Sequence, residues 1–421
     1  MICRSRLLVL ALVLLALPLT AWGQQVQQSD DGYTATVNKT FAVEPGGTLD
    51  LEATNGSITV SGGNRSEVVV EEKIRFEEAS REEVTEYLNE KATTYETANN
   101  TVRIRGPENN GGSWWGGGSN DVQYNYTVQV PRQFSTKLHT SGGSLSITNL
   151  EGSVQGKTAG GSVTTEGVTG DVQVSTAGGS LTLRDIEGSV QGRTAGGSIE
   201  VAAVSGPLNV RTAGGSIRIS EVDDSVTAKT AGGSIRVETV EGGVDARTSG
   251  GDVTVRSVSG AVEARTSGGD IELRDLGSRV TAETSGGDIE GEDLRGTVDA
   301  RTSAGDVELS GVAAPITART SVGDVEIEIT ATSFSTDPAI QLRTSHGDIE
   351  LVLPPDLQAS IRARVEGYGG MSGDEEIRSD VPLTREGGDG EPLRATGTMN
   401  GGGPTIELET SGGSIRIEHG E

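Results

Sequence analysis

The chain of 421 residues carries a single cysteine, Cys3, and few aromatics: 3 Trp, 6 Tyr and 4 Phe. One cysteine excludes an intramolecular disulfide, so stability must come from packing. Aromatics at 3% are too few for a conventional globular core of this length. Histidine is scarce too: His139, His346 and His419 lie far apart, and no nucleophile or metal-ligand spacing involves them. No catalytic triad, phosphate loop or zinc site is present in the sequence. Positive charge is also in short supply, with 34 Lys+Arg against 61 Asp+Glu for a net charge of −27. That balance argues against nucleic acid and anionic lipid as partners, since both need a basic surface. Arg far outnumbers Lys, and an acidic, Lys-poor surface suits solubility in high salt.

The longest apolar run, Leu7 to Leu19, is short for a membrane span. Arg4 and Arg6 precede it and the small-x-small tripeptide Ala21-Trp22-Gly23 follows, which is the pattern of a secretory signal cleaved near Gly23/Gln24. An uncleaved anchor is the alternative. No cysteine follows the run, so a lipoprotein anchor is not expected. Losing Arg4 and Arg6 would take the charge from −27 to −29 and leave a thiol-free exported chain with no transmembrane segment.

What is abundant is glycine, 62 in all, and it is ordered. From Thr140 the motif Thr-(Ala/Ser)-Gly-Gly-(Ser/Asp)-(Ile/Val/Leu) returns every 18 residues without a slip, to Thr320. A fixed short period marks a stacked repeat, in which each unit buries its apolar face on its neighbours. With the threonine as position 1, position 6 is always apolar, position 8 nearly always, and position 7 is polar, as in Ile271-Glu272-Leu273. Positions 15 and 17 repeat the alternation, as in Val262 and Ala264, and position 11 is apolar as well. Each 18-mer therefore reads as two nonapeptides, each a glycine turn followed by a half-buried strand. A left-handed hexapeptide helix fails, because positions 6, 12 and 18 read Ile217-Asp223-Lys229.

The expected fold is all-β: a right-handed parallel β-helix, or β-solenoid, with 18-residue coils and one short helix in an N-terminal capping module. Right-handed winding is the default for strand crossovers. Eleven rungs at about 4.8 Å give a rod of roughly 50 Å. Position 4 is glycine in every array copy, while position 3 tolerates Ala304 and Val322. A positive φ or a close backbone approach at position 4 is the simplest cause. The threonine is placed inward, its hydroxyl bonding turn backbone.

The expected organisation is a signal peptide at 1–23, a flexible lead-in at 24–39 and a β-rich capping module at 40–137. The regular array follows at 138–330, then irregular rungs and a cap at 331–421. The helix falls between Glu77 and Lys91, where Val84 and Leu88 sit four apart. Thr54-Asn55-Gly56-Ser57-Ile58 is a degenerate early copy of the motif. Residues 367–403 read as a long loop or insertion between the copies at Thr344 and Thr410.

Two candidate surfaces stand out. Position 5 changes from Ser to Asp at Asp252, and position 7 becomes Glu in the later rungs. Asp270, Glu272, Asp288, Glu290, Asp306, Glu308, Asp324 and Glu326 then form a carboxylate ladder at rung spacing. Like charges so close repel, so the face either binds cations, calcium being suited to carboxylate oxygens, or is screened by solvent and salt. The nonapeptide calcium-roll spacing is absent. The second candidate is Trp114-Trp115 on a glycine-rich loop, where the indoles would stack on a sugar or partner, or else pack onto the N-terminal module. No cofactor is implied beyond possible calcium.

Phe41-Ala42-Val43-Glu44-Pro45-Gly46-Gly47-Thr48-Leu49-Asp50, Thr54-Asn55-Gly56-Ser57-Ile58, Val128-Gln129-Val130-Pro131, the repeating Thr-x-Gly-Gly-x-Ile, Leu353-Pro354-Pro355 and Asn400-Gly401-Gly402-Gly403-Pro404 occur in that order. In these features the chain resembles the bacterial putative-adhesin domain family of unknown function, related to the head-GIN-domain autotransporter adhesins. The resemblance implies an exported β-helical domain with no established enzymatic activity and no functional residues to carry over. The array here is longer and more regular than in the typical member. The expectation is a non-catalytic, adhesin-like binding or scaffold module in the periplasm, at the cell surface or outside it, whose partner is an envelope or surface protein or a glycan. A polysaccharide-active β-helix enzyme and an envelope-stress sensor binding a protein are the alternatives. An enzyme needs acids and bases converging in a cleft, and the acidic residues here repeat uniformly.

Overall fold

The computed structural model describes residues 23–29, 32–77, 79–107, 122–366, 376–388 and 391–420. Residues 1–22, which hold nearly all of the expected signal sequence, and Trp114-Trp115 lie outside the described residues. Within them the chain is a parallel β-solenoid. Each coil gives one strand to each of two sheets, as Val253–Val258 and Val262–Arg265 do, and partners in the next coil lie 18 residues on, as Val253↔Ile271 and Val262↔Val280 do. Positions 6, 8, 11, 15 and 17 face inward: Val253, Val255, Val258, Val262 and Ala264 are all buried. Alanine at position 17 in most later rungs keeps the core thin, because the two sheets meet over a methyl group.

Two neighbouring inward positions, 8 and 11, are three apart, which a plain strand cannot provide. The residue at position 10 resolves this by turning left-handed, with φ between 51° and 65° in ten successive rungs from Asn149 to Gly311. It drops out of the ladder and re-aims position 11 at the core, in the manner of a β-bulge. At the next rung the bend is lost: Ile329 takes position 10, is buried, and pairs with Val312 across a register shift.

At both ends the coils stack out of chain order. The N-terminal strands are β1 (Gly23–Ser29), β2 (Gly32–Ala42), β3 (Gly47–Ala53), β4 (Gly56–Gly63) and β5 (Glu67–Glu77). Helix α1 (Arg81–Glu90) follows, then β6 (Thr94–Ala98), β7 (Thr101–Arg105), β8 (Val122–Pro131), β9 (Phe134–Thr140) and β10 (Leu145–Glu151). The coil β3–β4 lies between β9–β10 on one side and β7–β8 on the other, parallel to both. Antiparallel β5, β2 and β1 then extend one sheet, and β6 extends the other. Helix α1 begins with a capping box between Ser80 and Glu83, and it buries Val84. The ring of Tyr87 on α1 meets that of Phe76 edge-on, with centroids 5.3 Å apart.

At the far end the coil 405–419 lies between the coil 340–353 and the later-placed strands Ala359–Val365 and Ile377–Ser379. The 24-residue step from Thr320 to Thr344 keeps register in both sheets, as Ile316↔Ile340 and Val325↔Ile349 show, so the extra residues sit in the loop between them.

Three expectations need correcting. Residues 24–39 are not an unpaired lead-in: they make most of β1 and β2, β1 pairing through backbone with β2 and β2 with β5, and so carry little apolar signal. The stretch 367–403 includes the strands Ile377–Ser379, Leu383–Gly388 and Glu391–Met399. The early motif copy is one residue short, so Ala53, not Thr54, pairs with Thr140 in the threonine slot.

Candidate functional site

The repeated corner between the two sheets is built by the threonine and the glycine at position 4. Each threonine hydroxyl donates to the position-4 carbonyl one rung back and accepts the position-4 N–H of its own rung. Thr158 Oγ1 lies 2.8 Å from the Gly143 oxygen and 3.2 Å from the Gly161 nitrogen. The same pair of bonds recurs up to Thr302, and the donation alone continues through Thr320, Thr344 and Thr410. The threonines are buried as expected. From Gly143 to Gly305 the position-4 glycine is required by close approach rather than by φ: a Cβ on Gly251 would lie 2.4 Å from the Gly233 carbonyl oxygen, and at Gly323 and Gly347 a positive φ adds to this. Position 3 points outward, and Val322 there is 55% exposed.

Position 5 carries a second ladder. A side-chain oxygen of each residue accepts the backbone N–H of the next: Ser216 Oγ from Ser234, Ser234 Oγ from Asp252, Asp252 Oδ1 from Asp270. The ladder continues through Asp288, Asp306, Asp324 and Asp348 to Ser414, the bonds shortening from 3.2 Å at Asp270 to 2.6 Å at Ser414. Serine and aspartate therefore accept the same backbone N–H, and the change to Asp adds a charge while most of the bonds become shorter.

Position 7 forms a neighbouring column in which Glu272, Glu290, Glu308, Glu326 and Glu350 stand side by side in register. Glu272 is neutralised by Arg256 and Arg274, at 2.8 and 2.9 Å. Glu326 has its carboxyl raised above the usual value, by desolvation first and then by Glu350 and Glu308 on either side. The structure thus brings all eight predicted acidic residues onto two adjacent columns, but among the described residues no three such groups converge on a point that could hold a metal ion.

Two features escaped the sequence reading. One is Glu72 on β5, the only buried carboxylate among the described residues. It accepts hydrogen bonds from Thr93 and, at 2.5 Å, from the Tyr95 hydroxyl. Burial raises the phenols of Tyr95, Tyr124 and Tyr126, so they stay neutral donors. This network ties β6 and the preceding turn to β5, and its inaccessibility makes it a structural element of the cap.

The other is a basic column at position 18, at the end of each strand of the second sheet. Arg193, Arg211, Lys229, Arg247 and Arg265 are consecutive partners, and after Glu283 come Arg301, Arg319 and Arg343. The net charge hides it, although the 18-residue spacing displays it.

The chain belongs to the Toastrack DUF4097 family, whose model matches residues 26–257 and again 224–418. The two matches fit an array longer than one family unit. No curated protein matches the chain. Among solved structures it is similar to a "putative cell adhesion protein" from Clostridium sporogenes, at 11% identity over 91% of this chain and 99% of that one, with a TM-score of 0.17. A "putative adhesin" from Bacteroides fragilis is 11% identical over 69% and 96%, with a TM-score of 0.22. A "putative lipid binding protein" from Parabacteroides distasonis is 14% identical over 70% and 96%, with a TM-score of 0.21. Among the described residues no helix is long and apolar enough to cross a membrane.

Proposed function

We propose that this Toastrack chain is a non-catalytic, exported β-solenoid that acts as an adhesin-like binding or scaffold module at the cell envelope or surface. The observation that carries this reading is the pair of unbroken ladders, threonine hydroxyl to glycine backbone and position-5 oxygen to position-5 N–H. They hold the outward side chains of every rung in one register, so that the surface repeats along the rod. A ligand would be read over several rungs rather than in one pocket. The signal-like N-terminus supports export.

Cation association with the face from Asp270 to Glu326, and stacking of a ligand on Trp114 and Trp115, belong to the same proposal. A thermal shift with calcium that sodium at equal ionic strength does not reproduce would support the first. The central test is a glycan array and an envelope pull-down run beside a polysaccharide turnover assay. Binding without product is expected, and product formation would overturn the non-catalytic reading in favour of a polysaccharide-active enzyme. Selective capture of one envelope protein, with no glycan bound, would favour the sensor.

A further inference from the structure

Along the position-18 column most basic groups are already neutralised. Lys229 and Arg247 share Asp245, at 3.1 and 2.6 Å, and Arg247 also meets Glu263 at 2.9 Å. Arg265 lies between Glu263 and Glu283. Arg193 and Arg211, on rungs with alanine at position 2, make no ion pair among the described residues. Downstream the setting differs. Arg301, Arg319 and Arg343 line a groove of about 440 Å³ together with Ser303, Ser321 and Ser345, and Glu283 and Glu409 lie at its two ends. Arg319, in the middle, makes no ion pair among the described residues. Its column neighbours Arg301 and Arg343 are anchored by Asp299 at 2.6 Å and Glu409 at 3.2 Å.

Position 2, which supplies the serines, is alanine from Ala159 to Ala231 and serine from Ser249 onward. The groove therefore combines three guanidiniums, two of them held by carboxylates, and a row of hydroxyls at one rung spacing, about 4.8 Å. That spacing is comparable with the length of one pyranose unit. A guanidinium binds a carboxylate through two parallel N–H donors, and a serine hydroxyl both donates to and accepts from a sugar hydroxyl.

We propose that this groove binds a linear carboxylate-bearing glycan, a polyuronate, laid along the rod axis with Arg319 as the central contact. The inference rests on the adhesin-like reading and names its ligand class.

The test is calorimetric titration of the full exported chain with oligogalacturonate at low and high salt. Neutral cello-oligosaccharide and single-stranded DNA serve as comparison probes, and light scattering monitors self-association. Arg319→Gln, an exposed substitution whose melting curve should match the parent's, is expected to weaken oligogalacturonate binding about tenfold or more. The double variant R193Q/R211Q, of greater charge change on rungs with alanine at position 2, should change it less than about twofold. High salt should weaken binding in every variant that retains it.

The groove assignment fails if oligogalacturonate does not bind at low salt, if both variants lose affinity equally, or if DNA binds more tightly. Self-association that Arg319→Gln abolishes would instead make the groove a contact between copies. Binding of neutral glycan that is insensitive to Arg319→Gln sinks the groove but leaves the adhesin-like module standing. Cleavage of the oligogalacturonate overturns the non-catalytic reading even where the groove holds.

Discussion

Gly251 and Gly233 sit one rung apart, so close that a Cβ on the first would reach within 2.4 Å of the carbonyl oxygen of the second. The same construction on Gly250 meets its nearest atom, the Gly232 oxygen, at 3.5 Å, an ordinary contact. Gly251→Ala must push two rungs apart and strain the Thr248 hydroxyl bonds to Gly233 and Gly251. Its expected cost is about 1–3 kcal/mol, against less than about 1 kcal/mol for Gly250→Ala. Denaturant midpoints of the two variants check this, and equal losses would refute the close-approach account.

Thr239 adopts φ of 57°, a region that a β-branched residue enters at a penalty. Asn149 occupies the equivalent slot with the same φ. Thr239→Asn should therefore stabilise the rod by up to about 1 kcal/mol, and Thr239→Val should not. Thermal unfolding of the two variants separates them, and no gain for asparagine would count against strain at this position.

Thr165 sits at the inward position 8, fully buried, and its hydroxyl has no hydrogen-bond partner within the protein. Other rungs place valine, isoleucine or leucine there, as at Val201, Ile219 and Leu273. Thr165→Val removes an unpaired polar atom at nearly constant volume, for an expected gain of about 1 kcal/mol. A rise in the denaturant midpoint checks it.

The raised carboxyl of Glu326 gives a pH signature. Its folded value exceeds its unfolded one, so the folded state holds the proton more tightly. The stability this confers is complete below the unfolded carboxylate value and is lost as pH rises through the folded one. Glu326→Gln should thus raise the melting temperature at neutral pH, with the gain shrinking in acid. Added salt should also shrink it, because the group is exposed and screened. Melting curves at neutral and acid pH, with and without salt, check this; a gain that persists in acid would rule out the charge explanation.

Much of this architecture was legible because the repeat states it many times over. Position 4 reads as a geometric requirement since the sequence never departs from glycine there, and the threonine reads as inward by phase. The left-handed residue at position 10 was not legible, because Asn149, Asp185, Ala203, Glu221, Thr239 and Ser257 share the conformation without sharing a side chain. The conformation is imposed by the need to bring position 11 back to the core. The acidic columns were visible as spacing, but their function in the backbone ladder depends on a bond from each Asp to the next rung's N–H. The arginine column was periodic too, and reasoning from total charge obscured it. The stacking order of the ends could not be read at all, since it rests on pairings such as Ile340↔Ile406 between segments far apart in sequence.

That last pairing governs the order in which the molecule can be finished. Each array rung can close onto the one before it as the chain emerges, but the coil 405–419, which follows both of its partners in sequence, must slot in between 340–353 and the strands at 359–365 and 377–379. Until it does, the far end of the rod presents open strand edges, the surfaces on which one chain templates another. The coil 405–419 is thus a keystone: its arrival joins two parts of the rod that precede it in the chain and covers the edges each had left open.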